Sequence, residues 1–169
     1  MTLELSYVLE LGIPLKVNDD KELKIDESGL PVSGVGKVTY PEGGVYDGTY
    51  QDGQKTTGNY KWADGAEYAG SFVNNKLQGS GEFKWVNGQF YSGEWLNNLM
   101  HGFGSLSNED GSKFEGKFAN GLKEGTGALT AVDGSVIEGF WKNNSQEGEG
   151  TIKYENGNII KAVWHQGIL

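Results

Sequence analysis

The chain has 169 residues, of which 36% are apolar, and this length suits one folded domain. It has no cysteine, which excludes a disulfide framework and a thiolate metal site. Its formal net charge is −9 and all 14 basic residues are lysine, so nucleic acid and anionic membranes are poor candidates for direct partners, because phosphate surfaces favour clustered arginine and lysine.

The N-terminal segment alternates between apolar and polar side chains. Apolar residues occupy almost every odd position from Leu3 to Val17, and this period of two predicts a β-strand. Asn18-Asp19-Asp20 is a turn signal, after which Leu23–Ile25 is expected to pair back against Leu15–Val17 as a hairpin. Residues 1–33 are therefore predicted to be a β cap on the following sheet or a segment that contacts a partner.

The chain carries no targeting signal that we can identify. The N-terminus lacks a basic region before its apolar residues, and no apolar run approaches ~18 residues. We therefore expect a soluble, cytoplasmic protein.

Residues 34–169 form a tandem repeat of about six units, of which the first and last are degenerate. The best-preserved unit begins at Tyr91, and the starting residues Tyr68, Tyr91, Phe114 and Ile137 are each 23 residues apart. Each unit has an alternating run with a central glycine, then two glycines separated by one residue, then Asn-Gly or Asp-Gly. A fixed period of this size indicates stacked supersecondary units. The unit that begins at Tyr46 is one residue short, and we expect a local defect there.

Glycines and aromatic residues share one face of each predicted strand. Tyr91, Gly93 and Trp95 have the same parity, so their side-chain directions coincide. A three-residue loop at Val86-Asn87-Gly88 would pair Phe83 with Tyr91, although a five-residue loop preserves the same parity. Glycine inside a strand weakens it, and we explain its presence by rings that lie over the glycines of neighbouring strands.

A second turn in each unit uses residues that tolerate positive φ. These turns are Asn74-Asn75, Asn97-Asn98, Asn120-Gly121 and Asn143-Asn144. Two turns per unit predict an up-and-down meander of β-hairpins.

The recurring slots from Gly34 to Trp164 resemble the MORN repeat (membrane occupation and recognition nexus). The resemblance implies an all-β fold: an elongated, single-layer, twisted antiparallel meander of stacked β-hairpins, here with an N-terminal β cap. It also implies a surface for protein binding or scaffolding, which in some members is attached to a catalytic domain. The family's usual histidine before the first paired glycine is present only as His101, whereas Gln78, Glu124 and Glu147 occupy that slot elsewhere.

No residue pattern predicts catalysis, a metal or a cofactor. Asp64, Asp110 and Asp133 precede glycines and are interpreted as turn residues, since calcium loops need denser oxygen ligands. His101 and His165 are the two histidines and have no companion ligand cluster. We therefore predict a protein that is not an enzyme and that has no cofactor.

The aromatic stripe is the candidate binding surface. A single-layer sheet has no second layer to cover its rings, and an exposed patch of more than a few hundred Å² usually marks an interface. We predict a non-enzymatic protein–protein interaction or scaffold module that binds a helical or extended partner segment, or a second copy of itself, along this face. The assigned residues are Trp62, Tyr68, Phe72, Trp85, Tyr91, Trp95, Phe114, Phe118 and Trp141.

Two other functions remain open from the sequence. One is a glycan- or choline-type binding repeat, which also uses short aromatic hairpins with Asp-Gly turns. The other is the regulatory subunit of an enzyme complex, which a co-purifying catalytic chain would identify.

Overall fold

A computed structural model describes residues 16–17 and 23–169 of the chain. All regular secondary structure in this part of the chain is β-strand, so the predicted all-β class is confirmed. The strands are β1 (Lys16–Val17), β2 (Lys24–Ile25), β3 (Pro31–Thr39), β4 (Val45–Gln51), β5 (Gln54–Lys61), β6 (Glu67–Val73), β7 (Lys76–Lys84), β8 (Phe90–Leu96), β9 (Leu99–Ser107), β10 (Lys113–Ala119), β11 (Leu122–Thr130), β12 (Val136–Lys142), β13 (Ser145–Lys153) and β14 (Ile159–Trp164).

The described residues divide into two compact units. The first holds the residues up to Val86 together with Leu96–Asn98, and the second holds Asn87–Trp95 together with Leu99–Leu169. In the first unit the strands are hydrogen-bonded in the order β1-β3-β4-β5-β6-β7, and in the second they follow chain order from β8 to β14. Neighbouring strands are antiparallel, for example β5 with β6 and β11 with β12. Each unit is therefore the predicted meander of hairpins.

The N-terminal strands both pair with β3. Lys16 lies opposite Thr39 in β1, and Lys24 lies opposite Ser33 in β2. Because both are antiparallel to β3, they run in the same direction, and the predicted hairpin between Leu23–Ile25 and Leu15–Val17 is wrong. An edge strand offers a row of unpaired backbone groups, and these short strands satisfy part of that row instead of pairing with each other.

The remaining N-terminal expectations lie outside the described residues. These are the predicted strand from Leu3 to Leu15 and the turn at Asn18-Asp19-Asp20. The assignment of residues 1–33 to a cap therefore stays a prediction.

Five of the longer hairpins close with three-residue loops, the type predicted for Val86-Asn87-Gly88. In the β5–β6 hairpin the Trp62 amide donates to the Ala66 carbonyl at 2.9 Å, and the Gly65 amide donates to the Trp62 carbonyl at 3.0 Å. Gly65 has φ +97°, the left-handed conformation that closes such a loop. The Asp64 carboxylate accepts a hydrogen bond from the Ala66 amide at 3.0 Å, which confirms that this aspartate is a turn residue.

The shorter hairpins use the predicted asparagine turns. Both central residues have positive φ in Asn74-Asn75 (50° and 58°), Asn97-Asn98 (50° and 68°), Asn120-Gly121 (51° and 82°) and Asn143-Asn144 (49° and 70°). This conformation defines a type I′ turn, whose twist matches that of the flanking strands.

The short repeat unit differs from the others in its β-bulge. In a regular unit Gly70 pairs with Gly81 and Phe72 pairs with Leu77, so three residues of β7 face one residue of β6. In the unit that begins at Tyr46, Thr49 pairs with Thr57 and Tyr50 with Lys55, which leaves only Thr56 between them. The missing residue is therefore absorbed in the bulge, and the expected local defect is confirmed there.

Candidate protein-binding surface

Where a repeat begins with an aromatic residue, the ring of that residue lies over glycine. Tyr91 is fully buried, and its hydroxyl donates a hydrogen bond to the carbonyl of Glu94, three residues ahead, at 3.0 Å. A Cβ placed on Gly104 of the neighbouring strand would overlap the Tyr91 ring. The ring therefore lies flat along its own strand, and the glycine is required because no other residue leaves that space.

The rings form edge-to-face contacts within each unit. In the second unit the centroid of Phe118 lies 5.2 Å from that of Tyr91 and 5.3 Å from that of Phe114, and Phe114 lies 5.0 Å from Trp141. In the first unit Phe72 contacts Tyr68 in the same way at 5.1 Å. Such contacts stabilise aromatic clusters beyond the burial of their area. We call this side of each unit the aromatic face.

Most of the sequence-predicted site residues are already buried by their own chain. Seven of the nine side chains are 0 to 4% exposed, namely Tyr68, Phe72, Tyr91, Trp95, Phe114, Phe118 and Trp141. The other two, Trp62 and Trp85, are half-buried. The stripe is thus mainly the core of the fold, and only its two tryptophans in the first unit present ring surface to solvent.

These two tryptophans belong to one cluster. The Phe83 ring lies between them, with centroid distances of 5.1 Å to Trp62 and 4.6 Å to Trp85, and Tyr60 lies 4.6 Å from Trp62. We call Tyr60, Trp62, Phe83 and Trp85 the tryptophan cluster. Trp62 opens a hairpin loop, which places its ring at the end of a strand, where neighbouring rings cover it less completely.

A lysine that the sequence analysis did not single out lies on the aromatic face of the first unit. The Lys55 ammonium is 4.7 Å from the Tyr40 ring centroid and 5.7 Å from those of Tyr46 and Tyr60. Burial lowers the pKa of Lys55 to about 8, and Glu42 opposes that shift. The sequence signal was its register: Lys55 occupies the slot that Leu77 fills in the next repeat, opposite an aromatic residue.

The opposite side of the second unit carries a groove. It is open, with a volume of about 990 Å³, and its lining includes Phe103, Phe140, Glu115, Glu138 and Glu149. Phe103 is 60% exposed and Phe140 is 47% exposed. We call this the carboxylate groove. The sequence analysis assigned the binding surface to the face that carries the aromatic stripe, and so it did not identify this groove. The alternation of side chains along a strand does assign Phe103 and Phe140 to the groove side.

The slot of the family histidine has a structural role. Gln78, Glu124 and Glu147 each accept a hydrogen bond from the first turn amide of the following hairpin, donated by Asn97 at 3.2 Å, Asn143 at 3.0 Å and Gln166 at 2.9 Å respectively. Glutamine and glutamate in this slot supply the acceptor, whereas the Nδ1 atom of His101 is buried without a hydrogen-bond partner.

The described residues contain neither a metal-ligand cluster nor a helix that could span a membrane. In residues 16–17 and 23–169, no three histidine, cysteine or acidic side chains are grouped so as to hold a metal ion. Over the same ranges, no helix is long and apolar enough to span a bilayer.

Comparison with known proteins identifies the repeat. A family model described as the MORN repeat matches residues 68–90, 91–113, 114–136 and 138–159. The TCP domain of SAS-4 from Drosophila melanogaster, solved in complex with a proline-rich motif of Ana2, is similar in fold with a TM-score of 0.52 and 15% identity, over 84% of this chain and 77% of that chain. The TCP10c domain of Drosophila melanogaster Sas-4 has a TM-score of 0.42 and 12% identity, over 76% of this chain and 91% of that chain. No curated protein sequence matches significantly.

Proposed function

The chain belongs to the MORN-repeat family, whose model matches more than half of its length, and on this premise we propose that it is a non-enzymatic protein-binding or scaffold module. The observation that carries the proposal is the tryptophan cluster. Tryptophan is enriched at the energetic centres of protein interfaces, and Trp62 and Trp85 are the two members of the aromatic stripe that are half-buried rather than buried.

The partner is a protein segment, helical or extended, that lays an apolar side chain against these rings. Phe83 supports both tryptophans from between them, so their ring planes are held before a partner arrives. A preorganised aromatic surface loses little conformational entropy on binding. The fold is compatible with an extended ligand, since the SAS-4 TCP domain was solved with a proline-rich motif. We place the protein in the cytoplasm.

The buried members of the stripe contribute to binding indirectly. Trp95 and Trp141 are 4% exposed and contact Tyr91 and Phe114 respectively at 5.1 and 5.0 Å. Their role in the proposal is to hold the sheet in shape, and their replacement acts on folding first.

Crosslinking followed by affinity capture from native extract tests the proposal. The parent protein is compared with the double variant Trp62→Ser/Trp85→Ser and with the control Val132→Ser, which removes an apolar side chain that is 68% exposed in a loop of the second unit. All three must first be shown to be folded at the temperature of the capture experiment. We expect one captured protein to be lost from the double variant and retained by the control. Equal capture by folded parent and double variant would refute the proposal.

A further inference from the structure

The carboxylate groove contains two glutamates in register. Glu115 in β10 and Glu138 in β12 lie opposite the same residue, Ala128 of β11, one on each side. Neighbouring strands are about 4.8 Å apart, so the backbones of the two glutamates are about 9.6 Å apart across the sheet. Both side chains are exposed on the same face because they share the parity that faces the groove.

Apolar surface lies beside these carboxylates. Phe103 in β9 pairs with Lys117 of β10, and the Lys117 ammonium lies 5.2 Å from the Phe103 ring centroid. Phe140 in β12 lies opposite Thr126 of β11. The groove thus has exposed phenylalanine rings within the same lining as its acids, a combination that suits a ligand with both cationic and apolar groups.

Lysines beside the groove offset only part of its negative charge, because the lining holds three glutamates and no lysine, and the Lys117 ammonium lies over Phe103. Glu115 pairs with Lys113 at 2.9 Å, but both side chains are about half exposed and such a pair contributes little. Among the residues that the structure describes, neither Glu138 nor Glu149 has an ion-pair partner. Towards β14, the next lysine along the row of cross-strand neighbours is Lys161, which lies opposite Thr151. The groove therefore favours cations supplied by another molecule.

We propose that the carboxylate groove binds an extended segment of another protein in the polyproline II conformation, with lysine or arginine at every third residue. Polyproline II has three residues per turn and rises about 3.1 Å per residue, so its side chains return to one side every ~9.3 Å. That repeat matches the ~9.6 Å between Glu115 and Glu138. A β-strand returns to one side every ~6.8 Å, which matches the separation of these two backbones less closely.

The apolar residues of such a segment have a defined place. Proline-rich segments dock on aromatic surfaces, where their preformed conformation limits the entropy lost on binding. With cations toward Glu115 and Glu138, the intervening prolines face Phe103 and Phe140. This site is separate from the tryptophan cluster, and its ligand is recognised by charge spacing.

A fluorescent twelve-residue probe tests the inference by anisotropy. The probe is four repeats of Lys-Pro-Pro, and its matched controls are an isomer with the four lysines grouped in two pairs and an analogue with glutamate in place of lysine. We expect the regular probe to bind at least tenfold more tightly than the grouped isomer, and the glutamate analogue to show no binding. Equal affinity for both lysine peptides would indicate diffuse attraction and overturn the proposal, as would no binding of the regular probe at millimolar concentration.

Matched variants locate the binding. Glu115→Gln/Glu138→Gln should weaken binding of the regular probe at least tenfold, whereas Glu109→Gln/Glu155→Gln, which removes the same charge from exposed turns, should change it less than twofold. Phe103→Ser/Phe140→Ser should also weaken it. Equal loss in the two glutamine variants contradicts the assignment. Self-association of the parent that the serine variant abolishes, without probe binding, would place a second copy in the groove and also contradict it.

The probe is measured without the native partner. A failure of the tryptophan-cluster proposal therefore leaves this result intact, and a failure here leaves that proposal standing.

Discussion

Contacts between single residues decide this fold, and the contact of Tyr91 with Gly104 is representative. The ring occupies the space that a Cβ on Gly104 would need, while Ser105, the next residue, points to the other side and lines the groove. The sequence alone predicted this arrangement from parity. It could not predict that the tyrosine hydroxyl donates to its own strand at Glu94, because that bond depends on how flat the ring lies.

Replacing Gly104 with alanine should destabilise the protein by about 1–3 kcal/mol, because the new methyl group overlaps the buried Tyr91 ring. Ser105→Ala on the same strand is the matched control and should change the free energy of unfolding by less than about 0.5 kcal/mol. Urea unfolding curves measure both. The reverse ranking would mean that the faces have been assigned wrongly.

Lys55 should make stability depend on pH. Its pKa is about 8 in the folded protein, below the ~10.4 of an exposed lysine, so the unfolded chain binds more protons between these values. The free energy of unfolding therefore rises as pH increases from about 8 to about 10, and the destabilising effect is complete below pH 8. Lys55→Leu, which copies Leu77 of the next repeat, should be more stable than the parent at pH 7.5.

Above pH ~10, buried tyrosines have the opposite effect on the free energy of unfolding. The pH dependence of the parent must therefore be compared with that of Lys55→Leu. Burial raises the pKa of Tyr50 to about 12, for example, so the folded state keeps a proton that the unfolded chain loses. Both proteins share these tyrosines. The stability difference between Lys55→Leu and parent should therefore shrink from pH 7.5 to 9.5, and a constant difference would show that Lys55 is not desolvated.

At the scale of the element, several of the short hairpin turns are hydrogen-bonded to a strand of the preceding repeat. The Asn144 amide donates to the Lys123 carbonyl at 3.1 Å, and the Asn144 side-chain oxygen accepts from the Lys123 amide at 2.8 Å. Gly121 occupies the same turn position one repeat earlier and keeps only the backbone bond, to the Met100 carbonyl at 2.8 Å. Asparagine thus adds one hydrogen bond between repeats.

Exchanging these residues should have opposite effects. Asn144→Gly keeps the positive φ but removes the side-chain bond, and should destabilise the protein by about 0.5–1.5 kcal/mol. Gly121→Asn should stabilise it by a smaller amount, since asparagine tolerates this conformation and a Cβ there meets only Leu99 at an ordinary 3.7 Å. Chemical denaturation measures both, and a destabilised Gly121→Asn would contradict this explanation.

The elements were more predictable than their irregularities. Glycine and asparagine spacing predicted both turn types, because positive φ selects those residues. The hairpin at Leu23–Ile25 was predicted wrongly, since alternation alone does not say which strand is the neighbour. The sequence did not predict the bulge opposite Ser71. The 22-residue length of the unit that begins at Tyr46 did indicate the repeat in which the bulge is shorter.

At the scale of the whole molecule, charge limits the partners. The chain carries −9 and no arginine, so it gains little from the release of counterions by phosphate groups. Cosedimentation with phosphatidylserine vesicles and gel shift with single-stranded oligonucleotides should show no binding at 0.15 M salt. Salt-sensitive binding at submicromolar concentration to either would contradict this prediction.

The candidate site was less predictable than the fold. The sequence identified the aromatic stripe, but period two assigns only a face and does not tell a ring over glycine from a ring at the end of a strand. That difference separates the buried Tyr91 from the half-buried Trp85. The exposed fraction of each ring depends on how many neighbouring rings cover it, and this number follows from the packing of the folded chain.

Site-specific photocrosslinking tests most directly whether the tryptophan cluster binds a partner. A benzophenone side chain is placed at position 62 or 85, and at position 132 as an exposed control, and each protein is irradiated in native extract. The proposal predicts that positions 62 and 85 crosslink the same protein and that position 132 does not. An adduct of equal yield at position 132, or none at positions 62 and 85 in folded protein, would contradict it.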